Sequence, residues 1–138
     1  MYHSGVIKLK IDFNSIKPIY IQLAEAIENE IITGRLNEGA PAYSQLILSK
    51  ELGINPATAA KGINVLVQKG ILEKQRGQPM VVAAGAKSKL MTDRQANEFH
   101  AYVANLVDEA KKIELPEERL IGMIRECFRN SGGRDGNG

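Results

Sequence analysis

The spacing of apolar residues predicts two elements at the start of the chain. Residues 6–13 alternate apolar and polar side chains, the period of two that marks a half-buried strand. Between Pro18 and Gly34 the apolar residues recur at helical spacing, and a proline at the start with a glycine at the end is typical of a helix. Glu25 and Glu28 fall on the opposite, polar face of this helix. The pattern therefore predicts a short strand and then a helix that supports the core.

Two more helices are predicted close together in the middle of the chain. Ser44 can cap the first of them, and Gly53 can end it, because glycine adopts the left-handed conformation easily. Asn55 and Pro56 are a good N-cap and first-turn residue for the second helix, which Gly70 ends. Helices joined by so few residues cross steeply, which is helix-turn-helix geometry.

A hairpin follows this helix pair. Residues 71–74 and 80–83 have strand-like composition, and residues 75–79 form a glycine-containing tip between them. A hairpin after the second helix is a wing, so the sequence predicts a winged helix-turn-helix domain over residues 1–83, with the N-terminal strand included. Residues 84–89 (AGAKSK) are small or basic without periodicity, and we expect an irregular linker over residues 84–91.

The last part of the chain predicts two helices. Thr92 can cap the first, and Pro116 starts the second with acidic residues in its first turn. Residues 131–138 are rich in glycine, and we expect a disordered tail there. The predicted fold class is thus mainly α, a winged helix-turn-helix domain followed by a C-terminal two-helix dimerisation hairpin over residues 92–130.

The dimer is predicted because two helices alone bury too little surface to fold separately. Their apolar stripes pack either on the winged domain of the same chain or on the same helices of a second copy. Symmetric homodimers are common, which favours the second copy. The predicted interface residues are Phe99, Tyr102, Val103, Leu106, Ile121, Ile124 and Phe128.

Composition and charge narrow the class of protein. The chain has 138 residues, of which 43% are hydrophobic, which is enough for a core. The net charge is only +2, so bulk charge does not argue for nucleic-acid binding. Residues 41–82, however, carry five basic and two acidic side chains, whereas residues 92–130 carry six basic and eight acidic ones. The positive charge is concentrated on the predicted winged unit.

Few residues in the sequence suggest chemistry. The single cysteine, Cys127, excludes an internal disulfide, and His3 and His100 are too far apart to suggest a metal cluster. We find no carboxylate pair, Cys/His couple or phosphate loop, so we expect neither an enzyme nor a cofactor or metal. No apolar run approaches the roughly 20 residues of a membrane span, and no signal peptide is evident. We therefore expect a cytoplasmic protein that does not bind membranes.

The pattern instead favours double-stranded DNA as partner. The major groove, about 12 Å wide, accepts one helix, whose N-terminal side chains reach the base edges. The wing then reaches a minor groove or the phosphate backbone. The predicted DNA-contacting residues are Ser44, Asn55, Ala57, Thr58, Lys61, Lys74, Gln75, Arg76, Gly77 and Gln78. Each of them alone also suits an ordinary helix start, solvated face or hairpin tip, and only the ordered set favours DNA.

Four segments between residues 17 and 82 are specific enough to suggest a family: PIYIQLAEAI, ITGRLNEGA, KELGINPATA and LVQKGILE. With them, residues 17–82 resemble the DNA-binding domain of GntR-family bacterial transcription regulators. The NPAT turn and the short C-terminal remainder resemble the YtrA-like branch of the family. That branch implies a homodimer held by the C-terminal helices and a repressor acting at an inverted-repeat operator.

The sequence departs from the family pattern at three places. Ala42 and Tyr43 replace the usual Leu-Pro before Ser44, and Leu46 stands at an arginine position. The family's Thr-Val-Arg becomes residues 58–60 (TAA), and its wing motif Gly-x-Gly-Thr-Phe-Val becomes residues 77–82 (GQPMVV). Fewer phosphate contacts weaken DNA binding and its salt dependence. A degenerate winged-helix module that binds protein therefore stays as the alternative, and a small-molecule effector stays open.

Overall fold

Helices dominate the computed structural model, which describes residues 9–136, with side chains described up to residue 132. The chain divides into two compact units between Thr92 and Asp93. Within the described range, the first unit holds four α-helices and a two-stranded antiparallel sheet, and the second holds a π-helical segment and two α-helices. The predicted class, mainly α with a winged helix-turn-helix, is confirmed.

Helix α1 spans Ile19–Ile32 and supports the core of the first unit. Leu23, Ala24, Ile27 and Ile31 are buried along one face, as their spacing predicts. Pro18 is the N-cap rather than the first helical residue, and its carbonyl accepts hydrogen bonds from the helix start.

The polar face of α1 is less solvated than predicted. The Glu28 residue is only 5% exposed, and its carboxylate lies 3.0 Å from the Lys69 Nζ. Glu28 follows the buried Ile27 in α1, so its side chain lies at the edge of the buried face of the helix. A buried carboxylate needs a partner, and Lys69 supplies one. The prediction of an exposed Glu28 is therefore wrong.

Helices α2 (Gln45–Leu52) and α3 (Pro56–Gln68) form the predicted helix-turn-helix. The Ser44 Oγ accepts a hydrogen bond from the Ile47 N–H at 3.1 Å, and Gly53 ends α2 with φ 65°. The Asn55 Oδ1 accepts from the Ala57 N–H at 2.8 Å. Both predicted caps are thus made, and they define where each helix starts.

Helix α3 packs tightly on α1 at Gly62. A β-carbon built on Gly62 would lie 2.9 Å from the Leu23 Cδ2 and 3.0 Å from the Tyr20 carbonyl oxygen. These distances are shorter than ordinary van der Waals contacts, so the two helices approach as closely as they do because residue 62 has no side chain. Ala59, Ile63 and Leu66 are buried on the same side of α3.

The wing consists of strands β1 (Leu72–Gln75) and β2 (Gln78–Val82). Gln75 pairs with Gln78, so the tip is a two-residue turn of Arg76 and Gly77, with Gly77 at φ 70°. The predicted tip of residues 75–79 is too long, because both glutamines belong to the ladder. Between the Gln75–Gln78 pair and the Glu73–Val81 pair, the single residue Lys74 lies opposite two residues of β2, which makes a β-bulge. Pro79 is one of those two residues, and it fits there because it has no N–H to donate to the ladder.

The predicted N-terminal strand is absent from residues 9–13, the part of it that the structure describes. Residues 6–8 lie outside the described residues, and residues 9–13 have no strand structure. Within the described range the sheet contains only β1 and β2, so this segment has no partner strand. Instead the Asp12 N–H donates to the Gln22 Oε1 at 2.8 Å, while Leu9 is buried in the core.

The segment predicted as an irregular linker contains helix α4 (Ala86–Asp93). Ala86 and Leu90, only 1% and 4% exposed, belong to the core of the first unit. The Glu38 carboxylate accepts hydrogen bonds from the backbone N–H groups of Gly85 at 2.9 Å and Lys87 at 3.1 Å. The prediction of irregular structure over residues 84–91 is therefore wrong, because tertiary contacts stabilise a helix there.

The second unit contains a π-helical segment (Arg94–Glu98), α5 (Phe99–Lys112) and α6 (Glu117–Gly136). Glu114, with φ 55°, lies in the turn between α5 and α6. Residues 131–136 continue α6, so the predicted disordered tail is wrong for them, and residues 137 and 138 lie outside the described residues. None of the described helices is long and apolar enough to cross a membrane.

Candidate nucleic-acid interface

The outer face of α3 carries several of the predicted contact residues. Ala57 and Lys61 are exposed, and Thr58 is half-buried. Asn64 and Gln68 extend this exposed face toward the end of the helix. Asn64 is absent from the predicted contact set, although its spacing from Ala57 and Lys61 places it on the same side of a helix.

Lys61 does not extend freely from this face. Its Nζ lies 4.2 Å from the centroid of the Tyr20 ring, within the range of a cation–π interaction. This contact draws the charge of α3 toward α1. The role of Lys61 as a guanine or phosphate contact stays a prediction, since its side chain is exposed while its ammonium rests against the aromatic ring.

A concavity of about 380 Å³ lies between the start of α2, the side of α3 and the wing. Its wall is mostly apolar, and it brings together Ser44 and Lys74 from the predicted set. Three further polar residues line it that were not in the predicted set, namely Tyr43, Gln45 and Asn64. The concavity shows that the start of α2, α3 and the wing border one continuous surface.

The tip of the wing presents Arg76 to solvent. Gln75, Gly77 and Gln78 beside it are also exposed. The sequence places these residues together because they are contiguous, and the hairpin keeps them at one end of the sheet. A guanidinium on a narrow, exposed turn is well suited to phosphate or to a narrow minor groove.

The positive charge available for an anion is smaller than the residue count suggests. Lys69 pairs with the buried Glu28, and Lys61 lies over Tyr20. Lys50 in the last turn of α2, Lys74 in the wing and Arg76 at its tip are exposed. The winged unit therefore offers a modest electrostatic surface rather than a strongly basic one.

Tyr43 connects the start of α2 to α1. Its hydroxyl donates to the Glu30 Oε1 at 3.0 Å, and the Arg35 Nη1 lies 3.4 Å from the Glu30 Oε2. Burial, together with the hydrogen bond to the Glu30 carboxylate, raises the pKa of Tyr43 to about 12. The phenol thus stays protonated and donating at neutral pH. This role was not predicted, although the tyrosine at a position where the resemblance expects proline was visible in the sequence.

The second unit exposes a large apolar surface of its own. Of the predicted interface residues, Phe99, Tyr102, Val103, Leu106, Ile124 and Phe128 are exposed and Ile121 is half-buried. A groove of about 410 Å³ between α5 and α6 brings Leu106, Ile124 and Phe128 together. Met123, which also lines the groove, was not predicted. Exposed apolar patches of this kind mark interaction surfaces.

No protein-family model matches the sequence. The HTH-type transcriptional regulator YhcF from Bacillus subtilis is 25% identical over 113 residues, which are 82% of this chain and 92% of YhcF. The DNA-binding domain of AraR, solved in complex with the operator ORX1, is 26% identical with a TM-score of 0.50, and the match covers 54% of this chain and 96% of that one.

The structure of YtrA from Sulfolobus acidocaldarius, a GntR-family transcription factor, is also similar. It is 30% identical, with a TM-score of 0.54, and the match covers 67% of this chain and 97% of YtrA. The match therefore covers nearly the whole length of a GntR-family protein. With its winged helix-turn-helix and this relationship to YtrA, the chain belongs to the GntR family of transcription regulators.

Proposed function

We propose that this protein is a sequence-specific DNA-binding transcription regulator, and that it acts as a dimeric repressor at an inverted-repeat operator. The observation that carries the proposal is the continuous surface that joins the start of α2, the side of α3 at Ala60 and Asn64, and the wing. A winged helix-turn-helix uses such a surface to place one helix in the major groove and the wing against the backbone. The operator complex of the AraR domain, which has a similar fold, supports this use.

In this mode the winged unit binds and orients DNA without any chemical step. The Asn55 cap fixes the start of α3, so the side chains of its first turn point into the groove. Lys74 and Arg76 neutralise phosphates beside the groove, and each phosphate contact releases counterions. Binding of this kind is strongest at low salt. We propose that the protein meets its DNA in the bacterial cytoplasm.

Dimerisation supplies the second half of the binding site. The exposed apolar side chains of α5 and α6 would be covered by the same two helices of a second copy. Paired recognition helices read half-sites about 34–36 Å apart, which is why the operator is proposed as an inverted repeat. The similarity to YtrA along almost its whole length supports assignment to the YtrA-like branch. The division of the chain into two compact units supports a division of labour between residues 1–83 and 92–130.

The proposal is tested by selecting duplexes from random DNA and then titrating the selected sequence in a mobility-shift assay at several salt concentrations. Arg76→Ala should weaken binding and lower the salt slope by about one phosphate contact. Lys111→Ala, which removes an exposed charge from the end of α5, is the matched control and should leave both quantities unchanged.

Failure to select any duplex would contradict the proposal. It would favour a winged-helix module that binds protein instead. Equal effects of Arg76→Ala and Lys111→Ala would show that the DNA-binding surface has been assigned to the wrong face of the molecule.

A further inference from the structure

The side chains on the outer face of α3 differ from those that read guanine. Guanine is usually read in the major groove by arginine or lysine, which donate to its O6 and N7. Helix α3 carries a single basic residue, Lys61, and its ammonium lies over the Tyr20 ring. The surface that remains is made of small apolar side chains, one hydroxyl and amides.

Three of the remaining residues share one face. Ala57, Ala60 and Asn64 follow the i, i+3, i+7 spacing of a helix, and the half-buried Thr58 lies about 100° further round the first turn. Seven residues of helix rise about 10 Å, which matches about three base pairs. Ala60 and Asn64 also line the concavity toward Pro79 and Met80 of the wing, so the apolar surface continues from α3 to β2.

These side chains are complementary to A·T pairs. The methyl groups of alanine and threonine pack against the C5-methyl group of thymine, and an asparagine amide pairs with the N6 and N7 of adenine. Building on the proposed function, we propose that α3 selects A·T pairs at the centre of each half-site. Ala57 and Thr58 contact thymine methyl groups, and Asn64 reads an adenine.

The test uses uracil, which differs from thymine only by lacking the C5-methyl group. Selection from random duplexes should give A·T pairs at the two or three positions under α3. Replacing a contacted thymine with uracil should then weaken binding about fourfold, the effect of losing one buried methyl group. Affinities are measured by mobility shift at one fixed salt concentration.

Variants identify the residues responsible. Thr58→Ser keeps the hydroxyl and removes only the methyl group, so it should weaken binding to the thymine duplex and abolish the thymine–uracil difference at one position. Asn64→Ala should relax the preference for adenine at one position, where the amide is lost. Asn29→Ala, which removes an exposed amide from α1 outside the helix-turn-helix, is the control and should keep both preferences.

The outcomes separate this inference from the proposed function. Selected duplexes with G·C pairs under α3, or an unchanged affinity when thymine is replaced by uracil, would overturn the A·T preference while DNA binding stands. A thymine–uracil difference that survives Thr58→Ser unchanged at every position would overturn the role of that residue. If the protein selects no duplex at all, the proposed function fails and the inference fails with it.

Discussion

The contact between α1 and α3 can be tested by placing a single methyl group into it. In Gly62→Ala, the new β-carbon would lie 2.9 Å from the Leu23 Cδ2 and 3.0 Å from the Tyr20 carbonyl oxygen. Leu23 is fully buried, so its side chain has no free space to move into, and the carbonyl belongs to the backbone of α1. The helices must therefore move apart.

The magnitude follows from two opposing effects. Overpacking a core typically costs about 1–3 kcal/mol. Alanine is favoured over glycine inside a helix by about 0.8–1.0 kcal/mol, which offsets part of that cost. Because one of the two close atoms belongs to the backbone of α1, we take the upper part of that range, about 2–3 kcal/mol, which leaves a net loss of about 1–2 kcal/mol in the free energy of unfolding. The melting temperature should fall by about 4–8 °C for each kcal/mol in a domain of this size.

The measurement is urea unfolding followed by far-UV circular dichroism, compared with Gly122→Ala. Gly122 lies in α6, where a β-carbon would meet nothing within 4 Å, so that variant isolates the helix-propensity gain. A Gly62→Ala protein that is as stable as wild type, with an unchanged denaturant slope, would refute the tight contact. The same result would mean that the close packing of α3 on α1 does not depend on the absence of a side chain at residue 62.

Three other predictions concern single contacts. Backbone hydrogen bonds from Gly85 and Lys87 lower the pKa of Glu38 from 4.5, so the ionised carboxylate stabilises the start of α4 fully above pH 4.5 and loses this effect as the pH falls through the lowered pKa. Amide hydrogen exchange of α4 should therefore show faster opening at low pH, and Glu38→Gln should remove this pH dependence. Tyr43→Phe leaves a buried oxygen of Glu30 without its donor and should cost about 1–2 kcal/mol in urea unfolding; no loss would show that water replaces the phenol. Phe128→Ala, at a side chain 76% exposed, should shift sedimentation toward the monomer, whereas the exposed neighbour changed in Arg129→Ala should not.

Local signals explain why the helix-turn-helix could be predicted from the sequence. Ser44, Gly53, Asn55 and Pro56 act within one turn of their own positions, through caps and a left-handed backbone. The apolar spacing of α1 is likewise a property of the segment itself. Elements of this kind are visible in the sequence because their causes lie next to them in the chain.

The failed predictions have causes that are distant in sequence. Helix α4 depends on Glu38, which lies 47 residues before the Gly85 amide that it caps, and on burial of Ala86 and Leu90 in the core. The burial of Glu28 depends on Lys69, 41 residues away. The composition of residues 84–91 alone does not indicate these distant contacts, which is why it predicts an irregular linker.

Predictions about the candidate site were limited in the same way. The residues of the wing tip are contiguous and were identified together, although the turn is shorter than expected. The partner of Lys61, in contrast, lies on another helix, and the sequence offered no reason to expect its ammonium over Tyr20. Asn64 was visible as an exposed position of α3, and only its place in the concavity beside Lys74 links it to the wing.

Pro79 within β2 and Pro41 beside it also lower the tendency of the sheet to aggregate at high protein concentration. A short sheet with open edges can pair with strands of other molecules and aggregate. Pro79 interrupts β2 with a residue that has no N–H, while Pro41 forms a bridge with Val81. Exposed Glu73 and Lys74 place charges on β1. The hairpin is thereby protected against edge-to-edge association with the sheets of other molecules.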